Sequence, residues 1–132
     1  MRKTERVEIS EEVDVARASS EAQRFAEAVG FKRTDQYAIS TAASELARNI
    51  FVYAMKGEMT LKEVKKENHK GIEIVAQDQG PGIKDVGKAM KDHFSTGQGL
   101  GLGLPGAKRL MDEFMIAAKP GRGTKVTIRK WV

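Results

Sequence analysis

The feature that most restricts what this chain can fold into is a one-sided helix pattern over residues 35–55. Apolar Ile39, Ala43, Leu46, Ile50 and Ala54 recur there at steps of four and three residues, the spacing of one face of an amphipathic helix. Thr34 is placed to cap its start and Lys56-Gly57 to end it. Glu45 and Asn49 are four residues apart and stack on one side. At roughly 100° per residue that side lies about 60 to 100° from the centre of the apolar stripe, at the rim of a buried face. Asn in mid-helix forgoes about 0.6 kcal/mol relative to Ala, because its side chain competes for backbone groups. A solvated glutamate and a tolerated asparagine would read the same way from the helix alone.

Around this helix the other elements follow from period and punctuation. Val7 and Ile9 alternate with charged residues as a short strand. Residues 13–29 read as a helix with Val13, Ala16, Ala22, Phe25, Ala26 and Val29 on its apolar side, ended by Gly30. Residues 59–67 and 71–77 are paired strands joined through Asn68-His69-Lys70. A short helix over 84–93, a glycine-rich loop, and a helix over 104–113 come next. Two strands, 114–119 and 124–131, turn at Pro120-Gly121-Arg122-Gly123 and close the chain. Hairpin neighbours in this order give a mixed sheet with helices on one face, an α/β sandwich in one domain over residues 1–132.

Composition removes several functions. There is no cysteine, hence no disulfide, thiolate metal site or cysteine nucleophile. No run approaches a membrane span and the N-terminus lacks the apolar core of a signal peptide, so the cytoplasm is the expected compartment and no membrane the expected partner. The formal charge is +5, but Lys62, Lys65, Lys66 and Lys70 are interleaved with Glu63, Glu67 and Glu73, and aromatic residues are only 6%. That pattern fits a solvated hairpin surface, or attraction to an acidic protein partner, better than a nucleic-acid stripe. His69, in a polar turn, and His93, beside the glycine loop, read as surface histidines.

The chemistry-bearing residues lie at strand ends and in glycine loops. Ile72, Ile74, Ala76 and Asp78 share one parity, so Asp78 continues the inward side of its strand. A carboxylate there needs a donor: either the turn at Gly80-Pro81-Gly82 or the exocyclic amine of a base such as adenine. Lacking Cβ atoms, Gly80 and Gly82 would let a flat ring approach the backbone. Ser95-Thr96-Gly97-Gln98-Gly99-Leu100-Gly101-Leu102-Gly103-Leu104 is a loop whose amides could hold an anion, with the next helix aimed at the same phosphates. Gly101-x-Gly103-x-x-Gly106 matches the dinucleotide fingerprint in letters only, since helix rather than strand precedes it. Gly121-x-Gly123-Thr124 adds a candidate hydroxyl.

Glu45-x-x-x-Asn49, Asp78-x-Gly80-x-Gly82, the loop 97–103 and Gly121-x-Gly123-Thr124 occur in the order of the four boxes of the GHKL ATPase/kinase superfamily, which the chain resembles. Ala43-Ser-Glu-Leu-Ala-Arg-Asn49 and Phe94-Ser-Thr-Gly-x-Gly-Leu-Gly-x-Gly-Leu-Pro105 narrow the likeness to anti-sigma-type serine kinases, RsbT-type switch kinases in particular. The resemblance implies a Bergerat-type sandwich, with a mostly antiparallel sheet, and an ATP- and Mg²⁺-dependent serine/threonine kinase. It assigns Glu45 as base and Asn49 as Mg²⁺ ligand. Asp78, Gly80, Gly82 and Ile83 would hold the base with Thr124; Thr96, Gly97, Gly99, Leu100, Gly101, Leu102 and Gly103 would close over the phosphates. It further implies a STAS-domain antagonist as substrate and a PP2C-type phosphatase downstream; the alternative is a nucleotide-gated binding module. The loop holds no basic residue, so a γ-phosphate contact would fall to Lys88, Lys91, Lys108 or Arg109, or to Mg²⁺ and amides alone.

Overall fold

A computed structural model describes residues 4–80, 103–119 and 121–132. Its elements are β1 (Thr4–Ile9), α1 (Val13–Val29), α2 (Arg33–Ala54), β2 (Gly57–Lys66), β3 (His69–Asp78), α3 (Leu104–Leu110), β4 (Glu113–Lys119) and β5 (Gly123–Trp131). The strands form one sheet in the order β1-β2-β3-β5-β4, and each described pairing is antiparallel. The expected helix over 84–93 lies outside the described residues.

One sheet face is apolar because alternate residues share a side: Val7 and Ile9, Met59 and Leu61, Ile72 and Ile74, Val126 and Ile128 are buried. The helices lie on that face, with Ile39, Leu46 and Ile50 of α2 buried in the same core. Helices α1 and α2 pack on each other, and Ala18, Ala22 and Ala26 of α1 and Ala42, Ala43 and Ala47 of α2 are buried. Ser19 Oγ donates to Ser40 O across this seam at 3.2 Å.

Several sequence expectations shift. In α1 the buried row is Val15, Ala18, Ala22, Phe25 and Val29, while Val13 is 67% exposed and Ala16 is exposed. The phase is fixed at the helix start: buried Asp14 accepts from Ser10 N and Glu11 N, both at 2.9 Å, which turns Val13 outward. Gly30 ends α1 as expected, at φ 117°. Thr34 is not the cap of α2; Lys32 is, without a side-chain bond. Nor do Lys56-Gly57 end α2: Met55 takes the left-handed turn at φ 68°, where a non-glycine residue costs about 1 kcal/mol or more. The β2–β3 turn is tighter than expected, because Lys66 already pairs with His69. The last helix stops at Leu110, because Asp112 N donates to Arg129 O at 2.9 Å and draws the chain into the sheet.

Among the described residues the other sheet face carries no helix. There Arg129 donates to Glu73 at 2.8 Å and to Glu113 at 3.0 Å, and Trp131 Nε1 donates to Glu113 at 2.8 Å. The Trp131 ring covers Gly71 and lies under Lys66 Nζ, 5.9 Å from its centroid.

Candidate functional site

The end of the central strand β3, beside the C-terminal end of α2, is built around Asp78. Its parity carries it inward, and it is buried at 7% exposure. Asp78 Oδ1 accepts from Gly80 N at 2.9 Å, which satisfies part of the carboxylate locally and leaves its remaining acceptor capacity for another donor. Three glycines crowd this residue. A Cβ on Gly57 would lie 3.1 Å from Asp78 Cβ, one on Gly80 3.2 Å from Asp78 Oδ1, and one on Gly123 2.1 Å from Asp78 O. Backbone from β2, β3 and β5 therefore closes on one aspartate. Thr124, also buried, is its register partner on β5. Two open hollows border Asp78: one of about 410 Å³ shared with Gly123 and Thr124, the other of about 540 Å³ toward Gly57 and Ser10.

Along α2 the rest of the arrangement follows. A Cβ on Gly80 would lie 2.5 Å from Ala54 Cβ, so the exit of β3 touches the last turn of α2. Asn49 is half-buried five residues earlier, and Glu45 a further turn back. At about 1.5 Å per residue, Glu45 and Ala54 are roughly 13 Å apart along the axis, with Asn49 between them. Glu45 is not at the rim as the helix angle suggested. It is 3% exposed, because Gly103 N donates to Glu45 Oε2 at 3.0 Å and brings the start of α3 over it. That amide is thereby engaged by the Glu45 carboxylate.

Of the sequence candidates, Glu45, Asn49, Asp78, Gly80, Gly103 and Thr124 fall among the described residues. Asp78, Gly80 and Thr124 come together; Glu45 and Gly103 form a second cluster, joined to the first through α2, and neither hollow is bordered by Glu45 or Asn49. Gly82, Ile83, Thr96, Gly97, Gly99, Leu100, Gly101 and Leu102 lie outside the described residues, as do Lys88 and Lys91. Lys108 and Arg109 are exposed on α3. Sequence reasoning missed Gly57, whose contact with Asp78 comes from the β2–β3 register Gly57↔Asp78, and it missed the bond between Glu45 and Gly103.

Comparison with known proteins bears on this arrangement. Residues 9–130 match the model of the histidine kinase-like ATPase domain. The chain is 48% identical over 126 residues to the serine/threonine-protein kinase RsbT of Bacillus subtilis (strain 168), covering 96% of this chain and 95% of that one. It is 34% identical over 100 residues to an anti-sigma F factor of Caldanaerobacter subterraneus subsp. tengcongensis, covering 71% and 68%. A mycobacterial sensor histidine kinase, MprB, shares the fold at TM-score 0.54, with 21% identity and 96% of each chain covered.

Proposed function

The chain belongs to the histidine kinase-like ATPase domain family, and from that premise we propose that it is an ATP- and Mg²⁺-dependent protein serine/threonine kinase. Its proposed substrate is a STAS-domain antagonist protein in a stress-signalling partner switch, with a PP2C-type phosphatase downstream. The extensive identity to a named serine/threonine-protein kinase supports the reaction class. The observation that carries the reading is Asp78 at the exit of β3, where Gly80 meets the last turn of α2, with Asn49 and then Glu45 further back along that helix.

In this reading Asp78 accepts the adenine amine, beside the hollow it shares with Gly123 and Thr124. Thr124 adds a hydroxyl beside Asp78. Asn49 offers a hard side-chain oxygen to Mg²⁺. Among the described residues no group of three His, Asp or Glu side chains stands ready for a metal, which suits an ion that keeps phosphate and water oxygens as most of its shell. When bound, Mg²⁺ neutralises charge on the β- and γ-phosphate oxygens. The glycine-rich sequence 97–103 is the segment this reading assigns to the phosphates. Glu45, buried and held by the Gly103 amide, accepts the proton of the incoming serine hydroxyl through its carboxylate. Among the described residues no helix is long and apolar enough to cross a membrane, and the cytoplasm is the compartment this reading assigns.

A second reading, a nucleotide-gated binding module with little phosphotransfer, is favoured by one observation: the Glu45–Gly103 bond ties the end of the glycine loop to α2. The two separate with labelled ATP, Mg²⁺ and the STAS-domain proteins of the same genome. Glu45→Gln keeps an acceptor for the Gly103 amide but removes the base, so phosphotransfer falls by about 10²–10⁴ while ATP affinity holds. Full phosphotransfer by Glu45→Gln removes Glu45 as base. Asp78→Asn weakens ATP binding by roughly tenfold or more in calorimetry; unchanged affinity contradicts the adenine assignment.

A further inference from the structure

Helix α2 carries a second seam besides the buried one. Tyr37, Thr41, Ser44, Arg48, Phe51 and Met55 follow at steps of four, three, four, three and four, the heptad spacing through which helices pack on one another. At roughly 100° per residue this seam is centred about 150° around the helix from Ile39, Ala43, Leu46 and Ile50. Its ends are bulky and open to water: Tyr37 is 49% exposed and Met55 72%, with Val52 alongside at 39%. Between those ends Thr41 and Ser44 are small, whereas Phe51 is half-buried and packs against the core. Ser44 Oγ donates to Thr41 O at 2.8 Å and the flanking Ser40 Oγ to Tyr37 O at 3.2 Å, so these hydroxyls are folded back on the helix.

Two features of the seam have no use within the fold. Arg48 is half-buried and its Nε has no hydrogen-bond partner among the described residues, so an acceptor that drew the guanidinium outward would relieve a costly arrangement. Met55 holds a left-handed backbone that glycine would hold without strain, yet its side chain projects into water. None of the six residues is acidic, and exposed Lys32, Arg33 and Lys56 add positive charge at both ends.

We propose that this seam is the docking surface for an acidic amphipathic helix of a partner protein, laid along α2 with a carboxylate meeting Arg48. A second copy of this chain is the wrong occupant, since it would bring Arg48 and its flanking cations with no acid on the seam to answer them. The proposal goes beyond the nucleotide reading and uses no contact with nucleotide.

The test places a photocrosslinking residue at Tyr37, and separately at Val52, in the full chain in cells, and maps the captured peptide. The expected capture is a segment of a different protein with apolar residues at heptad spacing and an Asp or Glu in the repeat. That protein, purified, should lose at least tenfold in affinity for Arg48→Glu, and exchanging its acidic residue for Arg should restore binding. Met55→Gly guards against misfolding as the cause: it relieves the backbone, so the melting temperature rises while partner affinity falls. Capture of only a second copy, of a basic or non-helical segment, or of nothing overturns the proposal. So does partner affinity unchanged by both Arg48→Glu and Met55→Gly.

Discussion

Gly123→Ala tests the architecture around Asp78 most directly. The added Cβ would lie 2.1 Å from Asp78 O, whereas ordinary contact begins at 3.4 Å, so β3 and β5 must part by about 1.3 Å at Asp78↔Thr124. The residue is also held at φ +92°, where an alanine is strained by about 1–2 kcal/mol. Loosening one or two ladder hydrogen bonds adds about 1–2 kcal/mol more. The sum is about 2–4 kcal/mol, or roughly 8–16 °C in melting temperature at about 4 °C per kcal/mol for a chain of this size. Gly121 supplies the control, because it has φ +79° and nothing within 4 Å of its added Cβ. Gly121→Ala should therefore show the backbone strain alone, about 1–2 kcal/mol. Thermal unfolding by circular dichroism reads both, and ATP titration should show a weakened site in Gly123→Ala only. If the two variants melt within about 2 °C of each other, the steric argument fails.

Gly71→Ala would put a Cβ 2.5 Å from Trp131 Cε3 and 2.6 Å from Lys130 O. The ring must lift off the sheet, and because Trp131 is the single tryptophan, its emission should shift to the red; an unchanged spectrum refutes the contact. Asp14 is held below its ordinary value of 3.8, first by the Ser10 and then by the Glu11 amide. Its folded value is the lower one, so its stabilisation is present above about pH 4 and lost as pH falls through the folded value. Asp14→Asn should lower the melting temperature at pH 7 and flatten its acid dependence below pH 4; equal slopes for both proteins would exclude Asp14 as the source. Glu113, lowered first by Trp131 and then by Arg129, gives stability with the same sign. Arg129→Met should cost about 1 kcal/mol at neutral pH and less in acid, read by denaturant titration.

What was legible in the sequence was periodic or local. The inner faces of α2 and β3, the glycine end of α1 and the inward aspartate at position 78 depend on spacing along the chain, which sterics convert directly into direction. Family membership was legible too, because Glu45, Asn49, Asp78 and the glycine boxes occur in fixed order. The phase of α1 was not, because it hangs on Asp14 reaching back to two amides. Met55 as the turn of α2 was not, since propensity favours the nearby glycine, and that glycine is needed against Gln77 O and Ile50 Cγ2.

The sequence by itself determined the inward faces of α2 and β3 and the family whose boxes the chain carries. Only the tertiary structure decided that Gly57 of β2, Gly123 of β5 and Gly80 at the exit of β3 converge on Asp78, that Glu45 grips Gly103, and that Tyr37 and Met55 at the two ends of α2 stay open to water. The first two bring together separate elements, and no spacing encodes a contact whose distance is fixed by sheet register and helix packing.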